Sequence, residues 1–119
     1  MKILIIAETY PNPKINYSND FVHQRNKTYV NSGMDVTVAV RNSENHSYTI
    51  DKINVVPCSS LSNIENLIKK EAPAAIGIHF YSSEYLKLLK MFGGKVLIWI
   101  HGHEAINWYR RFYDYSFFI

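Results

Sequence analysis

The chain has 119 residues, of which 47% are hydrophobic, and this supports one globular domain with a core rather than two domains of ordinary size. The formal net charge of +3 is mild and the basic residues are scattered, so the composition gives no support for a nucleic-acid-binding protein. A single cysteine, Cys58, excludes an internal disulfide and fits a reducing compartment. No apolar segment approaches the roughly 20 residues of a membrane span, so we expect a cytoplasmic protein, at most peripheral to the inner face of the membrane.

The first part of the chain has the pattern of a β-α-β unit. Apolar and β-branched residues at positions 2–7 predict a first buried strand. After a loop that contains two prolines, Ser18 or Asn19 can cap a helix that runs to Ser32. Four apolar residues would lie on the inner face of this helix: Phe21, Val22, Tyr29 and Val30. The apolar run 36–40 predicts the second strand.

A small β-hairpin is predicted near residues 46–56. Two short runs of β-prone residues, 48–50 and 53–56, surround the polar pair Asp51-Lys52. Two such runs separated by two polar residues are typical of a hairpin, although this turn contains no glycine.

The second helix is predicted by the capping-box spacing of Ser62 and Glu65, and Pro73 ends it. Its apolar stripe consists of four residues: Leu61, Ile64, Leu67 and Ile68. Residues 74–80 then predict another buried strand.

The remaining sequence predicts two more helices and one more strand. A third helix would start at Ser82 or Ser83 and end at the glycine pair 93–94. Its inward side chains would be Leu86, Leu89 and Phe92. The apolar run 96–100 predicts a buried strand, and a fourth helix would begin at about Glu104. That helix would carry four large residues: Ile106, Trp108, Tyr109 and Phe112.

Strands that alternate with helices at this spacing predict an α/β fold with a doubly wound, mainly parallel sheet. The carboxyl ends of parallel strands share one edge, where ligands bind. Four segments would converge there: residues 8–20, 41–42, 79–83 and 101–104.

The aromatic tail 113–119 has no turn or cap signal. We therefore expect that the chain is the front part of a longer protein and that its tail is prone to self-association.

The most informative motif is His101-Gly102-His103-Glu104, which directly follows the predicted strand 96–100. An imidazole at a strand tip can accept a proton or donate to an anionic group, so His101 is the candidate catalytic residue. Gly102 and Glu104 are candidate substrate-binding positions, because a helix that starts there would offer backbone donors to a phosphate. His79, at the tip of another strand, is a further candidate lining residue.

The spacing of His101 and His103 also permits a metal site of the kind found in some metal-dependent hydrolases, with Glu104 or His79 as a further ligand. No third ligand is fixed by spacing, and Gly102 indicates that the chain turns at once, so we assign no metal. The chain has neither a G-x-G-x-x-G motif nor a P-loop, and we expect no resident cofactor.

Several stretches share their order and spacing with a known family: Lys2-Ile3-Leu4-Ile5-Ile6 followed by Tyr10-Pro11, Phe21-Val22-His23-Gln24, Ser32 to Val38, and Val96 to Glu104. Together they resemble the N-terminal half of a retaining glycosyltransferase of the GT-B class, family 4 type. The resemblance spans nearly the whole chain. In that family two Rossmann-like domains face each other across a cleft, and the N-terminal domain binds mainly the acceptor while the C-terminal domain binds the nucleotide-sugar.

The resemblance implies that residues 1–119 form a partial N-terminal, acceptor-side domain and that the donor-binding domain is absent from this chain. The full-length enzyme would move a sugar from a nucleotide-sugar to a glycan or lipid-linked hydroxyl acceptor, and this chain alone would be inactive. The family's cleft histidine falls on His101. Many members have a glycine pair near the donor phosphates where this chain has Ser18-Asn19-Asp20, so Asn19, Asp20 and the helix amides would line the site instead.

Two alternatives from other classes stay open. A stand-alone flavodoxin-like or receiver-like binding module is the first, and a receiver would carry paired acids after its first strand, where this chain has only Glu8. The second, less favoured, is a metal-dependent hydrolase that uses His101 and His103.

Overall fold

The computed structural model describes residues 1–11, 21–41, 46–79 and 81–99. Within these residues the chain forms an α/β fold with one six-stranded sheet. The strands are β1 (Lys2–Ala7), β2 (Asp35–Val40), β3 (Tyr48–Ile50), β4 (Ile53–Pro57), β5 (Ala75–His79) and β6 (Lys95–Trp99). The helices are α1 (Phe21–Asn31), α2 (Leu61–Glu71) and α3 (Leu86–Phe92), and a 3-10 turn (Ser83–Tyr85) precedes α3.

The sheet is mostly parallel, as the alternation of strands and helices predicts. Its strand order is β3-β4-β2-β1-β5-β6. Neighbouring strands pair in parallel, except for β3 and β4, which are antiparallel. The predicted helix from about Glu104 and the tail 113–119 lie outside the described residues.

Both faces of the central strand β1 are covered. Successive side chains of a strand point to opposite faces, so Leu4 and Ile6 belong to a core cluster with residues of α2 and α3. Ile3 and Ile5 belong to a second cluster, against which α1 packs. Burial on both faces explains why β1 is continuously apolar rather than alternating.

The inner face of α1 is only partly the predicted one. Val22, Tyr29 and Val30 are partly buried and pack against the sheet. The most buried described side chains of this helix are polar, because His23 and Asn26 are each 0% exposed. These two residues lie three positions apart and therefore share the inner face.

The predicted hairpin is confirmed. β3 and β4 pair directly, with Ile50 opposite Ile53. Asp51 and Lys52 both have positive φ angles, 49° and 66°, as a type I′ turn requires at its two central positions. Asp tolerates this conformation better than most residues.

The predicted cap of α2 is wrong by two residues. The helix begins at Leu61, and the Ser60 hydroxyl accepts a hydrogen bond from the Asn63 amide at 3.2 Å. Ser62 and Glu65 therefore lie inside the helix rather than forming a capping box. The stripe is confirmed, since Ile64, Leu67 and Ile68 are buried and Leu61 packs beside them.

The predicted face of α3 is wrong at one position. The apolar pattern predicts that Leu86 points inward, but this residue is 49% exposed. Tyr85 and Leu88 are the buried residues, with Leu89 and Phe92 partly buried beside them. The 3-10 turn has about three residues per turn and so shifts the phase of the helix that follows.

Strand β6 is less buried than its apolar sequence predicts. It is the last strand in the sheet order, and Leu97 is 50% exposed. The Trp99 ring lies against Gly77 of β5, where an added Cβ would stand 2.5 Å from the ring. Within the described ranges, no helix combines the length and the apolar character that crossing a membrane requires.

Replacement of Ser60 by Ala should lower the free energy of unfolding by about 1 kcal/mol, because the substitution removes the N-cap acceptor of α2. Ser62→Ala is the matched control and should change stability by less than about 0.5 kcal/mol. Urea unfolding of both variants measures the difference. Equal losses for the two serines would contradict the assignment of Ser60 as the cap.

Candidate functional site

The carboxyl ends of β1, β2, β4, β5 and β6 meet at one edge of the sheet. The chain connections reverse direction at β1. From β1 the chain passes through α1 to β2 on one side, whereas from β4 it passes through α2 to β5 on the other side. In open α/β sheets ligands bind beside such a reversal, at the carboxyl ends of the strands. The topology therefore places the candidate site next to the ends of β1 and β5.

Arg41 is the central charged residue of this edge. It directly follows β2, and its backbone N–H donates to the Ala7 carbonyl at 2.9 Å. Its Nη1 atom donates to Glu84 Oε1 at 2.9 Å and to the Tyr85 hydroxyl at 3.0 Å. The guanidinium carbon also lies 5.5 Å from the centre of the Tyr85 ring. Arg41 thus ties the end of β2 to the turn before α3, across the reversal point.

The cluster of Arg41, Glu84 and Tyr85 combines buried and accessible groups. The Arg41 side chain is 15% exposed and the Glu84 side chain is 50% exposed, while Tyr85 is 1% exposed. The buried Nε of Arg41 has no hydrogen-bond partner among the described residues. A buried donor without a partner is rare and costly. A guanidinium beside an accessible carboxylate offers both donors and acceptors to a polar ligand.

The protonation states in this cluster follow from burial and from Arg41. Burial lowers the pKa of Arg41, but its contacts with Tyr85 and Glu84 outweigh burial and leave that pKa above its ordinary value. Burial raises the pKa of Tyr85, and Arg41 opposes this effect. Burial likewise raises the pKa of the Cys58 thiol, again against the charge of Arg41. Cys58 is 1% exposed, and so it is a buried thiol rather than a reactive thiolate.

His79 stands at the carboxyl end of β5, the position that the sequence predicts. Its side chain is nearly buried, with the residue 3% exposed. The imidazole stacks on the Trp99 ring at 4.2 Å with an interplanar angle of 2°. The Arg25 guanidinium lies 5.5 Å from the centre of the same Trp99 ring. The structure thus brings His79 into a stack that joins the ends of β5 and β6 to α1.

The other predicted site residues lie outside the described residues: Asn19, Asp20, His101, Gly102, His103 and Glu104. Their convergence on the carboxyl edge therefore stays a prediction. Among the residues that the structure describes, no group of three or more His, Cys, Asp or Glu side chains could hold a metal ion.

A second polar group lies between α1, the β1–α1 loop and the hairpin, and the sequence reasoning missed it. His23 Nδ1 is 2.6 Å from the Tyr10 hydroxyl, and His23 Nε2 is 2.7 Å from Asp51 Oδ2. Asn26 Nδ2 donates to the Tyr10 oxygen at 3.2 Å. The available signal was the presence of His23 and Asn26 on the apolar face of α1. Glu84 and Tyr85 of the first cluster were also missed, because only the tertiary fold brings them to Arg41.

We predict that stability falls as the pH rises above 10, the ordinary pKa of tyrosine. Burial raises the pKa of Tyr85, so the unfolded chain loses this proton at a lower pH than the native state does. Because the native state then binds more protons, Tyr85 lowers the free energy of unfolding by up to about 1.4 kcal/mol per pH unit.

Urea unfolding at several alkaline pH values measures this slope. The Tyr85→Phe variant should show a flatter decline, whatever its stability at neutral pH. An unchanged slope in the variant would show that Tyr85 does not cause the alkaline loss.

Comparison with known proteins finds no family model, no curated protein and no solved structure that matches this chain.

Proposed function

We propose that this chain is the acceptor-side domain of a GT-B glycosyltransferase, with a doubly wound, Rossmann-like sheet. The complete enzyme transfers a sugar from a nucleotide-sugar to a hydroxyl acceptor on a glycan or a lipid-linked glycan. The donor-binding wall of the cleft belongs to a second domain. The chain needs no resident metal or cofactor for this chemistry, because the nucleotide-sugar is a co-substrate.

The observation that carries the proposal is the order of the parallel strands. Numbered along the chain without β3, these strands stand in the order 3-2-1-4-5. That is the order of the Rossmann fold, whereas flavodoxin-like proteins have the order 2-1-3-4-5. The order therefore favours a Rossmann-like half over a flavodoxin-like or receiver-like module.

Three of the stretches that carry the family resemblance lie in the elements that the sequence predicts for them. Lys2 to Ile6 lies in β1, Phe21 to Gln24 opens α1, and Val36 to Val38 lies in β2. Two of these stretches also contact each other, since the Tyr10 hydroxyl is 2.6 Å from the His23 ring. These placements support the resemblance, although fold similarity alone does not assign a reaction.

The chemistry of the carboxyl edge supports a polar, hydroxyl-rich ligand. Arg41 holds a full positive charge, and the half-exposed carboxylate of Glu84 can accept hydrogen bonds from hydroxyl groups. We assign these two side chains to acceptor binding. In this proposal His101 lines the cleft near the transferred sugar, with Asn19, Asp20, Gly102 and Glu104 around it and His79 behind the edge.

In the full-length enzyme, His101→Ala should lower the turnover of sugar transfer by about 10²–10⁴, the range for loss of a group that moves a proton or binds a developing charge. The matched control is His46→Ala, because His46 is exposed and precedes β3. It should keep wild-type turnover. The measurement is release of the nucleoside diphosphate from a panel of nucleotide-sugars, together with thermal unfolding of each variant.

Two results would overturn this proposal. One is a full-length protein that releases no nucleotide from any nucleotide-sugar in the presence of extracted glycans and lipid-linked acceptors. The other is transfer activity that His101→Ala leaves unchanged. Stoichiometric zinc, iron or manganese in the purified protein, lost on His101→Ala, would instead support the hydrolase alternative.

A further inference from the structure

The second polar group, Tyr10, His23, Asn26 and Asp51, contains a continuous hydrogen-bonded chain. The imidazole of His23 is 0% exposed. One ring nitrogen is 2.7 Å from the Asp51 carboxylate, and the other is 2.6 Å from the Tyr10 hydroxyl. Three separate elements therefore converge on one buried imidazole: the loop after β1, the first turn of α1 and the hairpin turn.

The partners of the ring define where the protons lie when the imidazole is neutral. A carboxylate can only accept, so His23 Nε2 carries the hydrogen and donates to Asp51. Nδ1 is then the acceptor, and the Tyr10 hydroxyl donates to it. This is the arrangement in which a carboxylate orients an imidazole and the imidazole in turn accepts the proton of a hydroxyl.

The Tyr10 oxygen is suited to hold negative charge when its proton leaves. Asn26 Nδ2 donates to it at 3.2 Å, and a donor of this kind stabilises a developing phenolate. Tyr10 is partly exposed, in contrast to His23 behind it. The base is thus shielded from water, and the tyrosine that it serves is partly exposed.

Tyr48 provides the contrasting case close by in the fold. Its hydroxyl donates to the Pro11 carbonyl at 2.7 Å. A backbone carbonyl cannot take the proton away, and burial raises the pKa of Tyr48. Two tyrosines of similar, partial exposure therefore differ in whether the hydroxyl has a base beside it.

We propose that Tyr10, His23 and Asp51 form a relay that makes the Tyr10 hydroxyl a nucleophilic site for acyl-type and sulfonyl-type electrophiles. The Tyr10 oxygen forms a bond to the electrophilic carbon or sulfur, and the bond to the leaving group breaks. The leaving group departs with the electron pair, while the Tyr10 proton passes to His23 Nδ1. The resulting imidazolium is paired with the Asp51 carboxylate. This site is independent of the glycosyltransferase assignment.

The turn conformation of Asp51 allows a clean test of the carboxylate. Asp51 has a φ of 49°, and Asn is among the few other residues that adopt this region readily. Asp51→Asn therefore keeps the hairpin turn and removes the negative charge that supports the relay. His23→Gln removes the base itself and keeps a polar side chain in the buried position.

The experiment treats the full-length protein with an aryl sulfonyl fluoride at neutral pH and measures labelling of each tyrosine by peptide mass spectrometry. Tyr10 should react at least about tenfold faster than Tyr48, since general-base assistance is worth tenfold or more. Asp51→Asn and His23→Gln should each reduce Tyr10 labelling by about tenfold and leave Tyr48 labelling unchanged. Tyr10→Phe identifies the labelled peptide.

Other outcomes would overturn the relay. Tyr10 labelling no faster than that of Tyr48 would show that the hydroxyl is not activated. Labelling of Tyr10 that survives Asp51→Asn would show that the carboxylate supports no proton transfer. A rise in labelling at both tyrosines in Asp51→Asn would show that the group only holds the hairpin in place. If His23→Gln fails to fold, the comparison of Asp51→Asn with wild type still decides between these results.

Discussion

The burial of β1 on both of its faces is the constraint on which the rest of this structure depends. Every residue from Ile3 to Ala7 is buried, and the strand pairs in parallel with β2 on one edge and β5 on the other. A strand in this position needs apolar cover above and below. The chain supplies it with α1 on one face and α2 and α3 on the other. Crossovers between parallel strands are right-handed. A helix on one face of the sheet therefore leads to a strand on one side of β1, and a helix on the other face leads to a strand on the other side. The direction of the chain connections reverses at β1 for this reason.

Polar side chains meet at two places in this fold. At the carboxyl edge, Arg41 hydrogen-bonds to Glu84 and Tyr85 from the turn before α3. Among α1, the first loop and the hairpin, His23 links Tyr10 to Asp51. The hydrogen bonds of each network join elements that lie far apart in the sequence. Both networks include a residue that directly follows a strand or sits in a turn, where function commonly concentrates.

The proposed sugar transfer and the proposed Tyr10 relay use different parts of this architecture. The first uses the open edge, where a charged guanidinium and a half-exposed carboxylate suit a hydroxyl-rich ligand. The second uses a shielded imidazole that is hydrogen-bonded to a partly exposed tyrosine. They share only the β1–α1 loop, which leaves β1 at the edge and supplies Tyr10 to His23. A single fold can carry both because the two groups of side chains come from different elements.

Local apolar patterns in the amino-acid sequence are enough to predict several of the strands and one turn. The runs 2–7, 36–40 and 74–80 predict β1, β2 and β5 closely, and the polar pair Asp51-Lys52 predicts the hairpin turn. Sequence patterns predict a helix cap or a buried helix face less precisely where two neighbouring residues could take the same position. Ser60 rather than Ser62 caps α2, and the 3-10 turn before α3 exposes Leu86.

The strand order and the two polar networks depend on contacts between elements that are distant in sequence. Strand order depends on which apolar strand packs centrally, and several of these strands are equally apolar in sequence. Arg41 and Tyr85 are 44 positions apart, and His23 and Asp51 are 28 apart, so no local spacing reveals either contact. The position of His23 on the apolar face of α1 indicates burial, but its partners are set by the fold, because the hairpin brings the Asp51 carboxylate to this face. Local sequence patterns determine where strands and helices form. The packing of elements that are distant in the sequence determines which polar side chains contact each other.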